Sequence, residues 1–156
     1  MIVAGGEHDQ PDTQAIANLV YSYAERLDLG DFKGVADLFS HATFRAILGD
    51  AIDVHEGADA VLKVFNRLVA TYGGSPRTKH VTTNLIIEVD EHGDFAGCRS
   101  YFSVLQSLED FPLQVVISGR YHDSFERVNG KWRFADRLIF SEFMGDLSRH
   151  MKRMPS

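Results

Sequence analysis

The chain has 156 residues, 44% hydrophobic and 24% charged, with 16 Lys plus Arg against 22 Asp plus Glu for a formal net charge of -6. That is the size and composition of one soluble globular domain, residues 1–156, able to bury roughly 68–70% of its unfolded surface. The acidic balance lacks the basic excess that drives nucleic-acid binding, and no apolar run approaches the roughly 20 residues of a membrane helix. The single Cys98 allows no internal disulfide and no thiolate metal site. Met1 to Gly6 has no basic start, so a signal peptide is not expected, and a cytoplasmic protein is the default.

In chain order, Asp9 is expected to cap a helix from about Gln10 to Asp28, because Ile16, Leu19, Val20, Tyr23 and Leu27 recur at helical spacing. Gly30 stops it, and Asp31 caps a shorter helix with Val35, Leu38 and Phe39 on its apolar face. Thr43 to Leu48 and Ala51 to Val54 flank Gly49-Asp50 as a small hairpin. A third helix is expected from Ala58 to about Tyr72, before Gly73-Gly74.

The second half changes character. Arg77 to Val89, Phe95 to Leu108, Leu113 to Val128 and Lys131 to Phe143 are rich in Val, Ile, Thr, Tyr and Phe and read as four long antiparallel strands. Asn129-Gly130 is the sharpest turn signal, and Glu91 to Asp94 and Glu109 to Pro112 mark the other reversals. Helices first and a meander after make an α+β fold, with a core at about 10–143 and a tail at 144–156. Strands this long must twist and curl, leaving a concave face that three helices cover only in part, and hence an apolar pocket.

Nucleotide loops, His-Glu-x-x-His and Gly-x-Ser-x-Gly elbows are absent. His8, His41, His55, His80, His92, His122 and His150 include no i, i+4 pair with carboxylates at metal-ligand spacing, so neither metal nor cofactor is indicated. Chemistry must then come from side chains. Asp28 sits at a helix end where the macrodipole disfavours negative charge. His80 lies early in the first long strand, sharing a face with Thr78 and Thr82 if alternation holds. Arg137 interrupts an apolar strand and could pair with Asp136 or Glu126. Arg99, Tyr101 and Ser103 share one face of the second strand, which periodicity leaves open as pocket or exterior.

Several segments together resemble the SnoaL-like branch of the nuclear-transport-factor-2-like superfamily, over roughly Thr13 to Phe143. They are Ile16 to Tyr23, Leu27-Asp28-Leu29-Gly30-Asp31-Phe32, Leu38-Phe39, Gly57-Ala58, Thr78 to Asn84 and Phe125 to Phe134. The resemblance implies a cone, a curved antiparallel or mixed sheet wrapped round N-terminal helices with a central apolar pocket. It also implies a site like those of scytalone dehydratase, bile-acid 7α-dehydratase and hexachlorocyclohexane dehydrochlorinase, in which a helix-end Asp orients a strand His that removes a proton from carbon. Asp28 and His80 hold the matching positions. Arg137, five residues after Trp132, and Tyr23, five before Asp28, match an Arg and a Tyr of that group. Phe44, Thr78, Tyr101 and Ser103 are the expected pocket lining. A Lys in place of Tyr23 and a Trp near Phe44 in the dehydrochlorinase set this chain apart from it.

The implied activity is a cofactor-independent lyase or isomerase acting on a small apolar polycyclic, terpenoid or aromatic substrate, with dehydratase-like elimination favoured. The alternatives are a non-catalytic ligand-binding domain of the same fold, or the small subunit of an aromatic-ring dioxygenase. The resemblance further implies a homodimer or homotrimer, with neither nucleic acid nor membrane as partner.

Overall fold

The computed structural model describes residues 10–152. Helix α1 spans Asp12–Asp28, α2 Phe32–Asp37 and α3 Gly57–Leu68, and the strands are β1 Thr43–Leu48, β2 Ala51–Glu56, β3 Thr78–Val89, β4 Phe95–Leu108, β5 Phe111–Val128 and β6 Lys131–Met144. One curved, unclosed sheet carries all six strands in the order β2-β1-β6-β5-β4-β3. Every neighbouring pair is antiparallel except β1 with β6, which run parallel and so join the early hairpin to the end of the meander. The α+β expectation holds, with a mixed sheet. No helix among the described residues is long and apolar enough to cross a membrane.

The amphipathic faces pack as their spacing dictates. Ile16, Val20, Tyr23 and Leu27 of α1 are buried against β3 and β6. Phe39, Phe44, Phe65, Phe125 and Phe134 join them in one continuous core. At the β5–β6 hairpin, Asn129 and Gly130 both have positive φ, 51° and 76°, as a type I′ turn requires. Asp31 caps α2, its Oδ1 accepting the Gly34 amide at 2.9 Å.

Four boundaries differ from the sequence expectation by two or more residues. The proposed cap Asp9 lies outside the described residues, and Pro11 precedes the first helical residue with no side-chain cap. Helix α3 ends at Leu68, four residues early, because the backbone of Val69 and Ala70 pairs with the C-terminal segment: Ala70 N–H donates to the His150 carbonyl at 2.9 Å and Val69 bridges Met151. Strand β2 continues to Glu56, since Thr43 and Phe44 extend its ladder. Strand β5 begins at Phe111, paired with Leu108, so the reversal needs only Glu109 and Asp110.

Gly30 decides where α1 stops. It adopts φ 78°, and a Cβ there would lie 1.9 Å from the Gly74 carbonyl oxygen. Gly30→Ala should therefore cost roughly 2–4 kcal/mol, from left-handed strain plus displacement of the Gly73-Gly74 turn. Denaturant unfolding measures it, and a loss under about 0.5 kcal/mol would contradict this packing.

Candidate active site

Asp28 is the last residue of α1, and its carboxylate crosses to the start of β3. Its Oδ2 accepts the His80 backbone N–H at 2.8 Å, and its Oδ1 accepts the Thr78 hydroxyl at 2.8 Å. The His80 ring closes the set, with Nδ1 at 2.6 Å from Asp28 Oδ1. Burial pushes the Asp28 carboxyl up, but the hydrogen bond and charge of His80, its backbone N–H and the Thr78 hydroxyl outweigh burial and hold it below the ordinary carboxylate range. An ionised carboxylate can only accept, so Nδ1 of His80 carries a proton, and in the neutral ring Nε2 is left with its lone pair. Three donors thus offset the unfavourable helix-end position of the charge.

His80 borders a cavity of about 830 Å³ between the concave face of the sheet and the helices. Phe44, Phe65, Phe102, Val104 and Ile139 give it apolar walls. Tyr23 and Tyr121 bring phenols to it, and Tyr23 stands perpendicular to the His80 ring with centroids 6.3 Å apart. Burial raises the Tyr23 hydroxyl to about 12 although the Arg137 charge pulls the other way, so it remains protonated at neutral pH.

Arg137 is 0% exposed. Its Nε and one terminal nitrogen donate to the two Asp123 oxygens, each at 2.8 Å, while its guanidinium carbon lies 4.3 Å from the Tyr23 ring centroid and 3.8 Å from that of Tyr121. Burial disfavours its charge, but Asp123 more than compensates and keeps it protonated. Neither Asp136 nor Glu126 is its partner: they take Arg45 and Arg133 instead. Asp123 balances the charge of Arg137, whose guanidinium lies against both tyrosine rings.

Of the expected lining, Phe44 is in place and Thr78 instead braces Asp28. Tyr101 and Ser103 are corrections. They lie on the outer face of β4, Tyr101 59% exposed and Ser103 hydrogen-bonded to Ser118 at 2.9 Å, because Phe102 and Val104 take the inner face by alternation. Ala96, Cys98, Phe102 and Val104 form the more apolar set on that strand, a faint signal of that direction.

Sequence reasoning missed Tyr121, Asp123, His55 and His150. His55 and His150 both line the cavity, and His150 comes from the tail, with its ring 6.4 Å from that of His80. Burial, then the nearby His80, lower the His150 imidazole to about 4 despite the opposing pull of Asp28. Its folded form binds a proton less readily than the unfolded chain, so stability should be full above pH 6.5 and fall by up to ~3 kcal/mol as pH drops towards 4. The depressed Asp28 carboxyl adds a separate loss at still lower pH. Denaturation across pH 7.5 to 4 measures the first window, and His150→Gln should flatten it. An equal slope in that variant would contradict the assignment. Among the described residues no group of three or more His, Cys, Asp or Glu side chains is placed to hold a metal ion.

A family model for the SnoaL-like domain matches residues 9–138. The chain belongs to the SnoaL-like family. No curated protein matches it. Among solved structures, this SnoaL-like chain is similar to an Asp-to-Asn variant of Rv3472 from Mycobacterium tuberculosis, a protein of unknown function, at 27% identity and TM-score 0.69, covering 85% of this chain and 73% of that one. It is also similar to a candidate scytalone dehydratase from Novosphingobium aromaticivorans, at 21% identity and TM-score 0.66 with 86% and 87% covered. The beta subunit of a candidate aromatic-ring-hydroxylating dioxygenase from the same organism shares the fold at 17% identity and TM-score 0.67, with 85% and 90% covered.

Proposed function

We propose that this SnoaL-like protein is a cofactor-independent lyase or isomerase, dehydrating a small apolar substrate, with His80 as general base. The observation that carries the reading is a His80–Asp28 pair in which His80 lines a largely apolar cavity. An imidazole held in one tautomer by a carboxylate takes a proton through its other nitrogen, and the carboxylate stabilises the imidazolium formed. In the proposed step Nε2 removes a proton from a carbon next to a carbonyl. The C–H electron pair becomes a C=C bond, and hydroxide leaves from the neighbouring carbon. Tyr23, with its hydroxyl at about 12, is a stronger acid than water and protonates the departing hydroxide. The imidazolium then returns its proton to the tyrosinate, directly or through the product water. Without a leaving group, the same base delivers the proton to another carbon and the reaction is an isomerisation.

The cavity volume suits a ligand of two or three fused rings. The fold shared with a candidate scytalone dehydratase supports dehydration as the form of the elimination. A panel of fused-ring β-hydroxy ketones, followed by the absorbance of the conjugated enone, tests the reading. Dehydration above the buffer rate by the parent and not by His80→Ala is expected. Equal rates in the two proteins would overturn it.

A further inference from the structure

His150 belongs to none of the elements from which the proposed reaction is built, yet the segment that carries it is held from both sides. The Arg149 carbonyl accepts from the Tyr72 hydroxyl at 2.6 Å and from Gln106 Nε2 at 3.0 Å. The His150 carbonyl accepts from Ala70 N–H at 2.9 Å, and Lys152 N–H donates to the Leu68 carbonyl at 2.7 Å. Buried Leu147 roots the segment in the core. Gln106 is itself fully buried and spans from Pro76 to Arg149, an unusual use of a polar side chain inside a sheet. A segment that only covered apolar surface would need no such clamp on both sides of one residue.

The residue so clamped is 7% exposed and borders the cavity. Its Nδ1 is enclosed and meets no partner among the described residues, so protonating that nitrogen would bury an unsatisfied N–H. The proton of the neutral ring therefore belongs on Nε2, the nitrogen not sealed within the protein. His80 presents the opposite arrangement, with Nδ1–H tied to Asp28 and Nε2 bare. Two imidazoles with centroids 6.4 Å apart thus offer one acceptor and one donor to the same cavity.

We infer that His150 is the substrate-orienting residue of this site, its Nε2–H donating a hydrogen bond to a carbonyl oxygen on an otherwise apolar ring substrate. This deepens the proposed reaction, on which it rests, by assigning the oxygen that gains charge as His80 removes the adjacent proton. Burial keeps the ring neutral at working pH, so it orients the carbonyl and polarises it without delivering a proton. A neutral donor in an apolar wall selects ketones over hydrocarbons of the same shape, because the hydrocarbon displaces water from the donor and offers it no acceptor.

The test is a matched pair of probes, 2-tetralone and tetralin, with dissociation constants measured by calorimetry or by NMR titration for the parent, His150→Leu, His150→Gln and His80→Ala. The parent should bind the ketone about tenfold more tightly than hydrophobicity alone gives relative to tetralin. His150→Leu should erase that preference, and His150→Gln, which restores a neutral N–H donor, should keep most of it. His80→Ala should retain the preference, so failure of the proposed base leaves this result readable. A ketone preference that survives in His150→Leu, or no preference in the parent, overturns the assignment.

Discussion

His80→Ala should lower turnover by roughly 100 to 10,000-fold while the protein stays folded, because the base is removed and no other group replaces it at that point. Asp28→Asn should approach the same loss for a different reason. The amide can donate to Nδ1, which would move the ring proton to Nε2 and cover the lone pair that accepts from carbon. It also leaves the imidazolium without its balancing charge. Thr78→Val, which removes one donor to Asp28 and leaves His80 in contact with it, should cost far less, of order tenfold. Steady-state rates on a responding hydroxy ketone, beside thermal unfolding of each variant, separate a chemical loss from a folding loss. Turnover within threefold of the parent in both His80→Ala and Asp28→Asn would remove the pair from the mechanism.

The second large effect is on stability. Arg137→Met leaves Asp123 buried with no partner, and Asp123→Leu leaves a guanidinium equally stranded, so each single change should cost about 3–5 kcal/mol. For a domain of this size, that corresponds to a fall in Tm of roughly 6–20 °C. Arg137→Met combined with Asp123→Leu removes both charges and should recover most of the loss. The same double variant decides what Arg137 does. Asp123 already balances its charge, so the double variant should keep turnover within about tenfold, or ~1.4 kcal/mol of barrier. A collapse of turnover with stability restored would make Arg137 an anion stabiliser in the reaction.

The Asp28–His80 pairing came from the family resemblance, and simple periods supported the position of each residue. Helical spacing carries α1 to Asp28, Gly30 ends it there, and alternation places Thr78 and His80 on the inner face of β3. The Asp123–Arg137 pair was hidden by one irregularity. Counting back from the Asn129-Gly130 turn sets His122, not Asp123, opposite Arg137. In the structure Phe125 pairs with Phe134 and Ser124 with Asp136, so Ala135 is an extra residue on β6. That bulge shifts the register by one and returns Arg137 to the buried side, the same side as Phe134 three positions earlier. No feature of the residue string near Ala135 announces it.

His150 was illegible for another reason. The tail beyond β6 has neither helical nor strand period, and its course is fixed by distant partners: Leu68, Ala70, Tyr72 and Gln106. Such positions depend on the finished fold and carry no local signature. For β4 the signal was present but faint, since a polar face with Tyr101 and an apolar face with Phe102 differ by only a few residues.

The central claim is that Nε2 of His80 takes a proton from carbon, and it can be read without knowing the natural substrate. Incubating 2-tetralone with the protein in deuterium oxide, and following loss of its acidic C1 protons by NMR, isolates that step from any leaving group. The account predicts exchange well above the buffer rate with the parent protein and at the buffer rate with His80→Ala. Exchange that is equally fast with His80→Ala, or no faster than buffer with the parent, would contradict it.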